Sequence, residues 1–221
     1  MIFDLHVHTN FSDGLLTPEQ VVDLALKKNI DGIAITDHDT IKGIKPAIEY
    51  SKKVGNIKII PGIEFGCIYK NEEVHILGYF IDYNRKNIID VTKKLREDRV
   101  VRGIKMIKKL NNLGMELTLE EVKRLSEKDY IGRPHIARAL VYRGYVDSIQ
   151  DAFDEYLNRD MPAYVERERL GLAETINLIH ESNGVAVLAH PGLLSNKNII
   201  FASIKNKIDG LEVIHSKHGK E

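Results

Sequence analysis

The chain has a single cysteine, Cys67, among its 221 residues, so it can form no internal disulfide and reads as a protein of a reducing compartment. It has no excess of either charge: 32 Lys and Arg balance 32 Asp and Glu. A global field that would draw in long duplex nucleic acid or an anionic membrane is thereby excluded, and affinity for phosphate must come from a local cluster. No apolar run approaches the roughly 18 residues of a membrane span. The chain enters a strand pattern directly, without the basic and apolar regions of a secretory signal. No internal repeat, no low-complexity stretch and no serine or cysteine nucleophile motif is evident. These absences lead us to expect a soluble cytoplasmic protein. Cys67 itself lies in the apolar run from Ile63 to Ile68 and reads as a small core residue.

What is present is an ordinary globular composition, 43% hydrophobic and 29% charged, long enough for one α/β domain with an insertion. Strand and helix alternate over the first eighty residues. Ile2 to Val7 reads as strand, and Thr17-Pro18-Glu19-Gln20 as a capping box with proline at the first helical position. Strand Gly32 to His38, a helix from Thr40 to Val54, strand Lys58 to Pro61 and a hairpin of Phe65–Tyr69 and Glu73–Phe80 around Lys70-Asn71-Glu72 follow. Residues 88–163 change to charged helical patterns: Ile88 to Leu113 as one long helix, a capping-box start at Thr118, then Pro134 to Tyr142 and Ser148 to Leu157. From Leu172 the alternation resumes, with strands at Gly184 to Ala189 and Gly210 to Ile214. The pattern predicts an α/β domain over 1–87 and 164–221, interrupted by an inserted helical subdomain over 88–163.

The residues that carry chemistry sit at strand ends. His6 and His8 are two apart in an apolar strand, so both imidazoles leave one face, roughly 6–7 Å apart along the backbone. Asp13 follows just beyond that strand. Asp37-His38-Asp39 end the second strand, Glu64 follows Pro61-Gly62-Ile63, His75 lies in the hairpin and His190 ends a later strand. Parallel α/β barrels build sites at this face because their βα loops converge there. Imidazole suits zinc, iron and manganese, and carboxylates favour harder ions, so the mixed set fits any of the three. Asp37 and Asp39 read as orienters of imidazoles rather than ligands. Arg96, Arg99 and Arg102 recur at i, i+3, i+6 along the long helix, and with Arg133 and His135 they suggest phosphate clamps supplied by the helical block.

Together the motifs His6-Val7-His8 with Asp13, Thr36-Asp37-His38-Asp39, Pro61-Gly62-Ile63-Glu64, Val74-His75-Ile76-Leu77-Gly78 and Ala189-His190-Pro191-Gly192 resemble the PHP (polymerase and histidinol phosphatase) family over nearly the whole chain. Gly132-Arg133-Pro134-His135 resembles its subgroup that hydrolyses nucleoside 3′,5′-bisphosphates or trims short RNA from the 5′ end. The resemblance implies a distorted seven-stranded, TIM-like β/α barrel and up to three divalent metals. By the family's motifs, His6 and His8 would hold the first metal with Glu64 bridging to a second, His75 and His190 would complete the second, and Asp13 and His38 would contribute to the third. Arg99, Arg102, Arg133 and His135 would bind substrate, a phosphorylated small molecule or a short oligonucleotide, and hydrolysis would proceed through metal-bound hydroxide. The family's closing Asp-x-His motif has no counterpart; His215 and His218 match a stretch that precedes it and would support the ligands from outside. The resemblance therefore leaves three expectations: a bisphosphate phosphatase or exonuclease, with the chain cut short of its intact form, a histidinol-phosphate phosphatase, or a metal-binding module with impaired catalysis.

Overall fold

The local signals at the start of the chain are carried out in the structure. In this computed structural model, which describes residues 1–125 and 131–218, the Thr17 hydroxyl accepts from Gln20 N and the Gln20 side chain from Thr17 N, so the capping box opens α1 (Pro18–Lys27). It connects β1 (Phe3–Val7) to β2 (Gly32–Ile35), which pair in parallel. Their register slips by one residue between Asp4 and Val7, a bulge that re-aims the strand at His6. Helix α2 (Ile44–Val54) starts four residues later than its apolar pattern suggests. The stretch before it is consumed by Asp39, whose φ of 52° is left-handed, and by Gly43, where a Cβ would run into the Asp37 carboxylate.

Pro61-Gly62 does not split the third strand. β3 runs unbroken from Lys58 to Tyr69 because it changes partners there: Lys58–Pro61 pair in parallel with β2, and Gly62–Tyr69 pair antiparallel with β4 (Glu72–Tyr79). Proline, which lacks an N–H, falls where one ladder gives way to the other. The hairpin turn is Lys70-Asn71, with φ of 46° and 68°; two positive φ values in a two-residue turn match the right-handed twist of the strands. Glu72 pairs with Tyr69 and so belongs to the strand rather than the turn.

The helical block contains α3 (Lys86–Asn112), α4 (Leu119–Arg124, with its Thr118–Glu121 capping box), α5 (Arg133–Tyr142) and α6 (Ile149–Ala152) running into a π turn over Phe153–Leu157. Helix α7 (Leu172–Glu181), β5 (Val185–Leu188), α8 (Asn198–Lys205) and β6 (Gly210–Leu211) complete the sheet. The six strands lie in chain order; β5 is antiparallel to β4 and parallel to β6. Against the seven strands expected, the described residues contain six, with no ladder joining β6 back to β1.

Two apolar clusters form. One fills the space between sheet and helices α1, α2 and α7 around Ile33, Ile63 and Phe65; the other gathers Met106, Leu110, Ile136 and Leu140 within the helical block. α3 spans both, placing Ile88 and Leu95 in the first and Met106 in the second. Cys67 is fully buried, and burial pushes its thiol up to about 12. No helix of the described residues is long and apolar enough to cross a membrane.

Candidate metal centre

Glu64 is the hub of the site. It is 1% exposed, two residues past the point where β3 changes partners, and a parallel bridge to His38 lines it up with the segment after β2. Its Oε2 lies 3.3 Å from His6 Nε2, 3.2 Å from His8 Nε2 and 3.1 Å from His38 Nδ1. Its Oε1 lies 2.9 Å from His75 Nδ1 and 3.1 Å from His190 Nε2. Asp13 sits on the far side of His8 and His38, at 3.5 and 3.7 Å. The His6 and His8 rings, set on one face by strand alternation, are 5.1 Å apart. All seven residues singled out as metal ligands in the sequence converge on one cleft.

The arrangement fits metal ions better than hydrogen bonds. A carboxylate offers about four lone-pair positions, yet five imidazole nitrogens crowd Glu64, and His38 Nδ1 is buried without a hydrogen bond although it lies within 3.1 Å of an oxygen. Divalent cations among these donors would satisfy all of them at once. Among the described residues four groups bring one atom each within 4.8 Å of one another: His6, His8 and Glu64; His8, Asp13 and His38; His38, Glu64 and His75; and His6, Glu212 and His215. The third draws in His38 where the resemblance paired His75 with His190.

The electrostatics agree. Burial alone would raise the Glu64 carboxyl, but the surrounding imidazoles hold it well below the usual range. Burial would lower His6 and His75, and instead carboxylates raise them to about 9 (Glu212 and Glu64) and about 10 (Glu64 and Glu73). His38 goes the other way, to about 4, because burial and its charged neighbours His8 and His75 outweigh Glu64 and Asp13. The cleft couples carboxylates and imidazoles so closely that each group's protonation depends on its neighbours.

Several expected roles are reassigned. Asp37 touches no imidazole; it accepts from Thr9 N and Ser12 Oγ, both at 2.6 Å, and Thr9 Oγ1 at 2.7 Å, and so shapes the loop carrying His8 and Asp13. Asp39 likewise serves arginines, not a histidine: its Oδ2 accepts from Arg99 Nε and Nη2 and from Arg167 Nη1, and its Oδ1 from Gly66 N. The two guanidiniums hold its carboxyl far below the usual range despite burial. Arg99 is therefore part of the floor rather than a phosphate clamp. Arg102 is buried too, donating to Val165 O and lying over the Tyr164 ring. His135 is 1% exposed and its Nδ1 accepts from Gly132 N, closing the start of α5. Of the expected clamps, Arg133 lines a cavity beside Glu73, and Arg96 lines a separate one against Thr40 and Ile41. The His215 ring is tilted against those of His6 and His190, with centroids 5.7 and 5.3 Å away, and His218 Nε2 accepts from Gly192 N.

Four residues of the site were not singled out. Glu73 Oε2 joins Arg133 (3.3 Å) and Arg169 (2.9 Å), and its Oε1 faces His75 at 3.6 Å. Arg133, Arg159, Arg169, Tyr164 and Ser195 line a cavity of about 270 Å³ against this carboxylate, with Arg102 and Arg167 behind. Burial and the charges of Arg133, Arg167 and Arg169 bring even Arg102 down to about 10. Arg167 and Arg169 alternate in an extended segment, the same i, i+2 signal that marked His6 and His8. Glu212 follows β6, which ends at Leu211 instead of running to Ile214 and so makes Glu212 a strand-end acid like the others.

A family model described as the PHP domain matches residues 4–211. The chain belongs to the PHP family. Among PHP relatives, it is 38% identical over 193 residues to the 5′-3′ exoribonuclease Rnm of Escherichia coli, covering 87% of this chain and 66% of that protein. It is 33% identical over 190 residues to the 3′,5′-nucleoside bisphosphate phosphatase of Chromobacterium violaceum, covering 86% of this chain and 66% of that one. The chain thus spans slightly under two thirds of either relative's length. A candidate metal-dependent phosphoesterase from Bifidobacterium adolescentis has the same fold, with a TM-score of 0.90 at 31% identity over 99% of this chain and 79% of the other.

Proposed function

We propose that the protein is a metal-dependent phosphoesterase that hydrolyses phosphate esters at the 5′ ends of short RNA or in nucleoside 3′,5′-bisphosphates. One observation carries this reading: the histidine-crowded Glu64 lies one carboxylate, Glu73, away from a cavity lined by arginines. A cation centre and a guanidinium-lined cavity side by side are what a substrate with a scissile phosphoryl group and a second anionic group requires. The activities named for the Escherichia coli and Chromobacterium violaceum relatives support the same substrate class.

In this reading His6, His8, Asp13, His38, Glu64, His75 and His190 hold up to three ions of manganese, iron or zinc, which when bound supply Lewis acidity and lower the pKa of a water. Arg133 and Arg169 grip phosphate oxygens at the cavity, with Glu73 keeping both guanidiniums in place. Asp37 holds the loop of His8 and Asp13 in register, and Asp39, Arg99 and Arg167 form a rigid floor. Residues 88–163 act as an inserted subdomain: α5 supplies Arg133, and its Arg138 Nη2 donates to Asp13 O at 3.1 Å, tying the insertion to the metal loop. In this reading the fold is of the seven-stranded PHP barrel type, and the enzyme is cytoplasmic.

The test is phosphate or nucleotide release by metal-stripped protein reloaded with Mn²⁺, Fe²⁺ or Zn²⁺. Substrates are adenosine 3′,5′-bisphosphate, a 5′-phosphorylated RNA trimer, a long RNA duplex and histidinol phosphate. Turnover of the first two, little on the duplex and none on histidinol phosphate is expected. Metal-independent turnover, or preference for histidinol phosphate, would refute the reading.

A further inference from the structure

The carboxylate of Glu212 makes two contacts, and each holds a different histidine of the cleft. Its Oε1 lies 2.8 Å from His6 Nδ1, and its Oε2 accepts from the backbone N of His190 at 2.7 Å. Its own backbone N donates to Leu188 O at 2.9 Å, anchoring it beside the end of β5. The two histidines are far apart in the sheet order, one within the edge strand β1 and one after β5. The described residues contain no strand ladder across that interval, so the carboxylate spans it.

Each contact has a chemical consequence. An ionised carboxylate only accepts, so His6 Nδ1 must carry the proton of this hydrogen bond, and Nε2, facing Glu64, is the nitrogen that a bound cation would take. His190 sits at φ 31°, ψ 55°, a left-handed conformation that costs a residue with a side chain and persists only when its surroundings enforce it. The Oε2 bond to its N–H is one such enforcement. We infer that Glu212 is a positioning residue that fixes both the tautomer of His6 and the backbone of His190, and so sets two metal ligands with one side chain. Glu212, His6 and His215 also offer three atoms within 4.8 Å of one another. A separation of 2.8 Å between Glu212 and His6 Nδ1 is nevertheless a charge-assisted hydrogen bond, and it occupies the nitrogen that such an alternative ion would use.

This inference rests on the metal-centre reading, and its test separates the two. Glu212→Gln keeps size and shape but cannot keep both contacts. If its carbonyl oxygen accepts from His190 N, its amide donates to His6 Nδ1 and places the imidazole proton on Nε2. If it turns round, a donor faces the His190 N–H. Titration of metal-stripped protein with Mn²⁺, followed by electron paramagnetic resonance, should show one class of site weakened about 10–100-fold in E212Q. Nitrogen chemical shifts of Zn²⁺-loaded wild type should show His6 protonated on Nδ1. Restoring a carboxylate with Glu212→Asp should recover part of the affinity. Equal Mn²⁺ affinities in wild type and E212Q would overturn the role of Glu212, as would a wild-type His6 protonated on Nε2, which can be read even if the variant does not fold. Wild type that binds neither ion would overturn the metal centre itself.

Discussion

Replacing Asp39 by Asn tests the floor of the cleft with almost no change in shape. Asp39 is fully buried, and its Oδ2 serves two guanidiniums, Arg99 and Arg167, whose side chains are 11% and 2% exposed. Its left-handed φ of 52° is one that Asn adopts readily, so the backbone adds little cost. Removing the charge takes the shared carboxylate from two buried guanidiniums, although Arg167 keeps Glu73 at 3.8 Å; a broken buried pair costs about 3–5 kcal/mol. An amide also cannot accept on both sides: with its oxygen toward the arginines its nitrogen faces Gly66 N, stranding a buried donor for a further ~1–3 kcal/mol. Against a total stability of about 5–15 kcal/mol the variant should be marginal. Urea unfolding of metal-stripped protein at pH 7 reads this directly. With a slope of about 2–3 kcal/mol/M, the midpoint should fall by at least about 1 M. The fall should change little with salt, because buried pairs are weakly screened. A shift under about 0.3 M at unchanged slope would show that water or rearranged side chains compensate the arginines, and the floor would not be the electrostatic device described.

Glu64→Gln should remove the stabilisation conferred by ions at the two groups that include Glu64, about 2.7 kcal/mol per site at a hundredfold excess over Kd, so the Mn²⁺-induced rise in melting temperature should shrink to what the His8, Asp13 and His38 group supplies; an undiminished shift would remove Glu64 from the hub. Arg133→Ala should raise KM by roughly 10–100-fold, as expected for a lost charged hydrogen bond of about 1.5–3 kcal/mol, with kcat changed little, and steady-state kinetics on the bisphosphate decides this. His135, lowered to about 4 by burial and by Arg138 and Arg99, is neutral when folded at pH values where the unfolded chain protonates it. Its contribution is therefore intact above about pH 6.5 and is lost progressively down to about pH 4, at most ~3 kcal/mol. His135→Gln should flatten the stability profile across that window, and an unchanged acid limb would refute it.

Element types were readable where the local chemistry was unambiguous. Both threonine capping boxes open the helices they announce, and the i, i+2 histidines meet at their carboxylate. The misreadings share a cause. Thr40 to Lys42 has helical neighbours, but Asp39 must turn left-handed to reach two arginines that follow it by 60 and 128 residues, and no window of sequence contains that demand. Arg99 and Arg102 have the spacing of an exposed stripe and are buried because the Asp39 carboxylate and the Val165 carbonyl lie opposite them. Glu212 escaped notice because Val213 and Ile214 extend its apolar pattern, yet both are left exposed beyond the strand. The candidate ligands could be found because they follow or interrupt apolar strand patterns, Glu64 and His75 from inside β3 and β4. Their supporting partners were hidden because support is long-range.

The bond between His6 and Glu212 joins residues 206 positions apart. During synthesis at about 5–20 residues per second, His6 and His8 wait roughly 10–40 s before Glu212 leaves the ribosome. The β3–β4 hairpin, whose contacts are local, can form in that interval with Glu64 and His75 already in register. A nascent chain therefore has part of the donor set in register before Glu212 has been made. Slow codons between those for His75 and Glu212 would lengthen the interval in which the half-built centre stands without Glu212.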